Sequence, residues 1–130
     1  MHIVPIYAAV LALLFVGLSA RIFRMRQRHR SALGDAGAPA LVRAVRTHGN
    51  FAEFVPLGLI LFSFVEVGGA APMLVHGLGL SLLLGRSSHA YGVSQINERY
   101  RFRVFGMTLT ILSIVGASFL LFCAAIDRSA

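Results

Sequence analysis

Residues 43–56 read RAVRTHGNFAEFVP and open an apolar segment that continues to Val67. This stretch places two arginines, a histidine, an asparagine and a glutamate inside a segment otherwise suited to a bilayer. An ionisable side chain at membrane depth costs roughly 3 kcal/mol on insertion scales, so such groups usually persist where they line a polar site. The stretch therefore predicts a membrane-spanning helix that carries one wall of a polar site.

The polar side chains of this helix share one face. Arg43, Arg46, Asn50 and Glu53 follow the spacing that stacks side chains along one side of a helix. His48 departs from that face, and packing or an interfacial position explains it as well as a ligand role does. Arg43 lies near the predicted end of the span, where its guanidinium could equally reach lipid headgroups.

The composition of the 130 residues indicates a small integral membrane protein. Apolar residues make up 57% of the chain and charged residues 13%, which is typical of a membrane domain rather than a soluble one. The net charge of +7 comes from twelve arginines without a lysine. Because these arginines cluster in two connectors, we interpret them as cytoplasmic, lipid-facing charge and expect no nucleic-acid partner.

Four apolar segments predict an all-α membrane protein in which four antiparallel transmembrane helices form a left-handed bundle. We expect one domain over residues 1–130, with helices at about 3–23, 39–67, 72–95 and 103–126. The first segment lacks the basic residues that precede a signal-peptide core, so we expect it to stay and to insert with its N-terminus outside. Both termini then lie outside the cytoplasm, and the polar site lies near the cytoplasmic side.

The tight turn near residues 68–72 allows a prediction of register between the second and third helices. In an antiparallel hairpin centred there, and within one helical turn, Glu53 lies level with Arg86, and Asn50 lies level with His89. Neither charge is tolerated alone at that depth, so we predict that Glu53 and Arg86 form a buried ion pair or share a polar cavity. A purely structural pair is the alternative.

Two further patterns bear on packing and on metals. On the third helix, Gly77, Ser81 and Gly85 repeat every four residues, a spacing that predicts close helix contacts in a packed bundle or an oligomer. No Cys or His spacing suggests zinc, so we predict no metal site.

The residue types themselves suggest a ligand class. Guanidinium groups bind carboxylates in a bidentate fork, and a glutamate can hold an ammonium group. Several arginines with one carboxylate and one amide therefore suit a small zwitterion with more than one carboxylate, and glutathione is such a molecule. An arginine near its sulfur would favour the nucleophilic thiolate.

Three motifs carry a family resemblance. They are Arg43-x-x-Arg46-x-His48-x-Asn50-x-x-Glu53-x-x-Pro56, Gly85-Arg86-x-x-His89-Ala90-Tyr91-Gly92, and Arg103-Val104-Phe105-Gly106-Met107-Thr108-Leu109-Thr110. In this order and spacing they resemble the MAPEG family, membrane-associated proteins in eicosanoid and glutathione metabolism, and in particular its short bacterial members. The resemblance implies a homotrimer in the bacterial inner membrane, with glutathione as co-substrate held between neighbouring subunits.

The resemblance also implies roles for individual residues. Arg103 matches the catalytic arginine credited with stabilising the thiolate, with Arg99 and Arg101 as alternatives because the connector length varies. Arg21 or Arg24 could supply a helix-one arginine. The implied glutathione-binding residues are Arg43, Arg46, His48, Asn50, Glu53, Arg86 and His89.

Departures from the family pattern bear on the activity. Phe54 and Val93 stand where some members carry tyrosine. This favours a general glutathione-dependent transferase or peroxidase of the microsomal type, acting in detoxification on lipophilic electrophiles, over specialised eicosanoid synthesis. The alternatives are a non-catalytic membrane protein that keeps the fold and a small proton-coupled exporter that uses Glu53 as its relay.

Overall fold

The four helices are present in the computed structural model, which describes residues 2–34, 37–95 and 97–129, with the side chains of residues 128 and 129 excepted. The predicted all-α fold is confirmed, because the described residues contain helices and connectors without a strand. The helices are α1 (Val4–His29), α2 (Pro39–Val67), α3 (Pro72–Ser94) and α4 (Tyr100–Ser129).

Prolines and left-handed residues set several of the helix boundaries. Pro39 and Pro72 begin α2 and α3, where the missing N–H would have had no helical partner. Arg30 follows α1 in the left-handed conformation at φ 49°, and Gly69 turns the chain between α2 and α3 at φ 85°.

Two helices are longer than their apolar segments. α1 continues from the predicted end near residue 23 to His29, and α4 begins at Tyr100 rather than near residue 103 and extends to Ser129. The reason is that hydropathy marks only the part of a helix suited to lipid, whereas arginine has a high helix propensity and continues the helix into water.

Contacts at both ends of the bundle show that neighbouring helices are antiparallel. At one end, Glu66 near the end of α2 accepts hydrogen bonds from the backbone N–H groups of Ile3 and Val4. At the other end, which we call the basic end, Arg43 of α2 lies 3.5 Å from the carbonyl of Val93 near the end of α3. The basic end therefore combines the start of α2, the end of α3 and the start of α4.

Three of the described helices, α1, α2 and α4, are long and apolar enough to cross a membrane. α3 has 23 residues, about 34 Å at 1.5 Å per residue, but glycines, serines, histidines and one arginine lower its mean hydropathy. Arg86 and His89 of α3 are buried against other helices, so the less apolar helix is shielded by its neighbours.

α3 and α4 approach each other most closely through glycines. A Cβ atom added to Gly85 would lie 2.8 Å from the Thr110 hydroxyl, and one added to Gly92 would lie 2.6 Å from the Arg103 backbone nitrogen. The predicted close contact is thus confirmed at Gly85, whereas Gly77 makes no such contact within the described chain and has open space beside it. This crossing fixes the start of α4 against the end of α3.

Candidate functional site

An open cleft of about 990 Å³ lies at the basic end of the bundle. Its walls come from α2, the end of α3, the connector that follows and the start of α4. Its charged and polar side chains belong to Arg43, Arg46, Asn50, Glu53, His89, Glu98 and Arg103. Six of these seven residues are among those that the sequence predicts for the site.

The α2 wall is formed by the predicted polar face. Arg46 and Glu53 are exposed, whereas Arg43 and Asn50 are half-buried. On the opposite side of α2, Phe51 and Val55 are buried in the bundle. The helix therefore presents its polar side chains to the cleft because its apolar side is packed inside.

Arg86 lies behind this wall and corrects the predicted ion pair. Its side chain is 0% exposed, and its Nη2 atom donates to Asn50 Oδ1 at 2.8 Å. Among the described residues, Glu53 makes no ion pair with Arg86 and is exposed at the cleft instead. The predicted pairing is wrong by about one helical turn, which is the uncertainty that a turn-centred register carries.

The environment of Arg86 is largely aromatic. Its guanidinium carbon lies 5.7 Å from the ring centres of both Phe51 and Phe54, a distance at which a cation is attracted to the ring face. Its Nε and Nη1 atoms are buried and have no hydrogen-bond partner among the described residues. Arg86 is therefore a support for Asn50 rather than a residue lining the cleft.

His89 joins this support to the cleft. It is 6% exposed, lines the cleft, and places Nδ1 3.4 Å from Arg86 Nη2. A neutral ring with Nδ1 as acceptor suits a guanidinium donor at that distance. The predicted level contact between Asn50 and His89 is replaced by an arrangement in which both side chains meet Arg86.

Glu98 connects two walls of the cleft and is not among the residues that the sequence predicts for the site. One carboxylate oxygen lies 2.6 Å from Arg103 Nη1, and the other lies 3.3 Å from Arg43 Nη1. These hydrogen bonds, first the one from Arg103 and then the one from Arg43, hold the pKa of the Glu98 carboxyl below its ordinary value. We call these three residues the Glu98 bridge.

The sequence indicates that Glu98 could pair with a nearby arginine, but it does not say which one. Glu98 is an acidic residue directly before a run with three arginines at 99, 101 and 103. Which of the arginines it meets depends on where α4 begins, and hydropathy placed that start about three residues too late. With α4 starting at Tyr100, the Arg103 side chain returns to Glu98.

His48 is separated from the cleft. Its Nε2 atom lies 2.9 Å from Ser19 Oγ, and its ring lies against Phe15 with ring centres 4.5 Å apart. It is not among the lining residues of the cleft. Within the chain, the structure assigns His48 to the packing of α1 against α2.

The other candidate arginines also lie elsewhere. The Arg99 guanidinium lies 5.9 Å from the Tyr91 ring centre, and of Arg99, Arg101 and Arg103, the residue that lines the cleft is Arg103. Arg21 donates to the hydroxyl and the carbonyl of Ser94, while Arg24 donates to Ala20 within its own helix. Arg21 therefore holds the end of α3 from outside the cleft.

The donor set of the cleft suits an organic anion better than a metal. Three guanidinium groups face two carboxylates, an amide and an imidazole. The described residues contain no group of three or more His, Cys, Asp or Glu side chains placed to hold a metal ion.

Comparison with known proteins agrees with the fold. The chain matches the MAPEG family over residues 4–123. It is similar to inner membrane protein YecN of Escherichia coli K12, with 39% identity over 105 residues that cover 81% of this chain and 79% of the relative. YecN of Escherichia coli O6:H1 shows the same identity and coverage. The name of these relatives states a location and no reaction. The chain, a multi-pass membrane protein with four helices, therefore belongs to the MAPEG family.

Proposed function

We propose that this protein binds glutathione in the cleft at the basic end and stabilises its thiolate through Arg103 for attack on a lipophilic electrophile. The observation that carries the proposal is the convergence of Arg43, Arg46, Asn50, Glu53 and Arg103 on one cleft. These residues come from two separate helices, and a shared cleft is what a common ligand requires.

The chemistry of the lining supports a zwitterionic tripeptide. Glutathione carries two carboxylates, an ammonium group and a thiol. Guanidinium groups match its carboxylates, and the exposed carboxylate of Glu53 matches its ammonium group. A cleft of about 990 Å³ lies at the upper end of the range for small-molecule sites, about 300–1,000 Å³.

The proposed reaction is a nucleophilic substitution or addition by sulfur. The thiol proton leaves to solvent, and the thiolate forms a bond to the electrophilic carbon of the second substrate. In a substitution, the leaving group departs with the electron pair of the broken bond, and in an addition the electron pair of the attacked π bond takes up a proton from solvent. The positive charge of Arg103 lowers the cost of holding the thiolate before attack.

We further propose that the protein acts as a homotrimer in a bacterial inner membrane, with the cleft on the cytoplasmic side and both termini outside. The cluster of arginines at the basic end supports this orientation, because basic connectors favour the cytoplasm. The exposed Arg46 and Glu53 support a site completed by a neighbouring subunit, since a single chain leaves one side of the cleft open.

Titration of the purified protein in detergent with glutathione tests this function. We expect saturable binding by calorimetry together with the ultraviolet absorbance of a thiolate at neutral pH. Conjugation of a chromogenic aryl halide then measures turnover. An absence of glutathione binding would refute the proposal.

A non-catalytic member of the family is the second candidate. Two observations favour it: Glu98 already occupies Arg103, and Val93 provides no hydroxyl at the cleft. Binding without thiolate absorbance or conjugation would identify this second candidate.

A further inference from the structure

The Glu98 bridge occupies the groups that the proposed ligand needs. Both carboxylate oxygens of Glu98 are engaged, by Arg103 at 2.6 Å and by Arg43 at 3.3 Å. Each arginine contacts Glu98 through one Nη1 atom, whereas bidentate binding of a ligand carboxylate uses two N–H groups of the same guanidinium. An incoming anion therefore meets two guanidinium groups that already hold one.

The bridge is partly exposed to solvent. The side chains of Glu98, Arg43 and Arg103 are 26%, 28% and 50% exposed. Solvent-exposed ion pairs are weak, because water solvates the separated charges well. Opening the bridge therefore costs little free energy, and a ligand that supplies replacement anions can offset it.

The backbone around the bridge is held in place. Ser88 Oγ donates to the carbonyl of Phe102 at 2.9 Å, and the backbone N–H of Arg99 donates to the carbonyl of Gly92 at 3.3 Å. These bonds attach residues on the C-terminal side of Glu98 to α3. Exchange of the anion therefore requires rotation of long side chains and leaves the helices in place.

The charge of the cleft depends on Glu98. Arg43, Arg46 and Arg103 contribute three formal positive charges, and Glu53 and Glu98 contribute two negative ones. Release of Glu98 toward solvent leaves the two arginines it engaged open to a ligand. A ligand with a single anionic group merely replaces the carboxylate of Glu98, whereas a ligand with several anionic groups gains additional contacts with the arginines.

We propose that Glu98 is an internal competitor that a ligand's anionic groups displace from Arg43 and Arg103, and that it sets both the affinity of the cleft and its preference for ligands with more than one anionic group. This inference rests on the proposed function for the identity of its ligand. The apparent dissociation constant equals the intrinsic one divided by the fraction of protein in which the bridge is open. Ligands are then discriminated by the free energy needed to open the Glu98 bridge, which a ligand with a single anionic group does not offset.

Replacement of Glu98 by glutamine tests the inference. Glutamine keeps the size of the side chain and removes its charge. We expect Glu98→Gln to bind glutathione about three- to tenfold more tightly than the unmodified protein, because two exposed ion pairs no longer compete. The gain should be smaller for glutathione diethyl ester, in which both carboxylates are blocked.

Asp127→Asn is the matched control. Asp127 is exposed near the other end of α4, and its replacement changes the net charge by the same amount as Glu98→Gln. Its dissociation constant for glutathione should equal that of the unmodified protein. Weaker or unchanged binding by Glu98→Gln would overturn the inference, because Glu98 would then position the arginines or play no part.

The same variants separate this inference from the proposed function. If neither the unmodified protein nor Glu98→Gln binds glutathione, the proposed function fails, and the exchange is tested with succinate as a simple dicarboxylate. Tighter succinate binding by Glu98→Gln than by the unmodified protein and Asp127→Asn would support the internal competitor. Equal binding by all three proteins, or none by any of them, would overturn it.

Discussion

The two ends of the bundle use carboxylates differently. At the basic end, Glu98 lies between two guanidinium groups that also face a cleft. At the opposite end, Glu66 accepts hydrogen bonds from the first backbone N–H groups of α1, and Tyr7 pairs with His76 at 3.0 Å. These polar groups of the opposite end are engaged in contacts within the bundle, whereas at the basic end Arg46 and Glu53 are exposed at the cleft and Glu98 holds two arginines in a partly exposed bridge.

Polar groups in a membrane bundle can serve the structure or a ligand, and the two ends of this bundle show one of each kind. A polar side chain that accepts hydrogen bonds from the unpaired N–H groups at a helix end stabilises that end. A set of cations facing one open cleft has no such structural use, because exposed charges add little to stability. Exposure to an open cleft, rather than the presence of charge, distinguishes the candidate site.

The largest effect should come from Gly106→Leu, which would disrupt the packing of α3 against α4 and with it the arrangement of the basic end. A Cβ atom at this position would meet the backbone of His89 and Gly85, which cannot move aside without separating α3 from α4. We expect the free energy of unfolding in detergent to fall by about 3 kcal/mol or more.

Gly77→Leu is the control for that change, since Gly77 lies on α3 with open space beside it. Thermal unfolding followed by circular dichroism measures both variants. Equal stability of the two would show that the crossing of α3 and α4 is not the constraint that fixes the cleft.

Arg103→Ala should separate chemistry from folding at the basic end. On the proposed function, conjugation should slow by about 100-fold or more, as removal of one stabilising donor does elsewhere, and thiolate absorbance should be lost. The helix content should stay unchanged, because the side chain is half exposed.

Arg101→Ala provides the matched control, because Arg101 is exposed and does not line the cleft. Stopped-flow absorbance on mixing with glutathione compares the two variants. A full thiolate signal in Arg103→Ala, or its loss in Arg101→Ala, would assign the role to another residue.

A smaller effect is expected at the opposite end from Glu66→Ala. Loss of the acceptor for the first N–H groups of α1 should lower the free energy of unfolding by about 1 kcal/mol, as loss of a helix cap does. Glu66→Gln keeps one acceptor oxygen and should lose less. Glutathione affinity should stay the same in both, and a change in it would show that the two ends are coupled.

The smallest effect concerns the pH dependence of the Glu98 bridge. Because the pKa of Glu98 is lowered in the folded protein, the bridge stabilises the fold above the ordinary value of 4.5, and this contribution is lost as the pH falls through the lowered pKa. The stability difference between the unmodified protein and Glu98→Gln should therefore be constant near neutral pH and vanish in acid. A difference that grows in acid would contradict the bridge.

The sequence predicts the helices and most of the site because both depend on local pattern. The face shared by Arg43, Arg46, Asn50 and Glu53 follows from helical spacing alone, and these four residues line the cleft. Apolar length gives the number of helices, although it underestimates α1 and α4, whose ends lie in polar sequence.

The remaining features depend on relations between helices, which spacing does not contain. The partner of Arg86 is Asn50 rather than Glu53 because the helix pairing is shifted by about one turn. Glu98 meets Arg103 because α4 starts at Tyr100, and His48 leaves the site because α1 covers that side of α2. Each of these outcomes depends on how one helix is placed against its neighbour.

The attachments of α1 have a mechanical consequence. Near its first residue it is tied to α2 through Glu66, and near its last apolar turn it is tied to α3 through Arg21 and Ser94. These two attachments, one at the start of α1 and one at Arg21, oppose sliding of α1 along its own axis relative to its neighbours. A thinner or thicker bilayer must therefore tilt the bundle as one body or deform the surrounding lipid, and the geometry at the end of α3 is insulated from the thickness of the membrane.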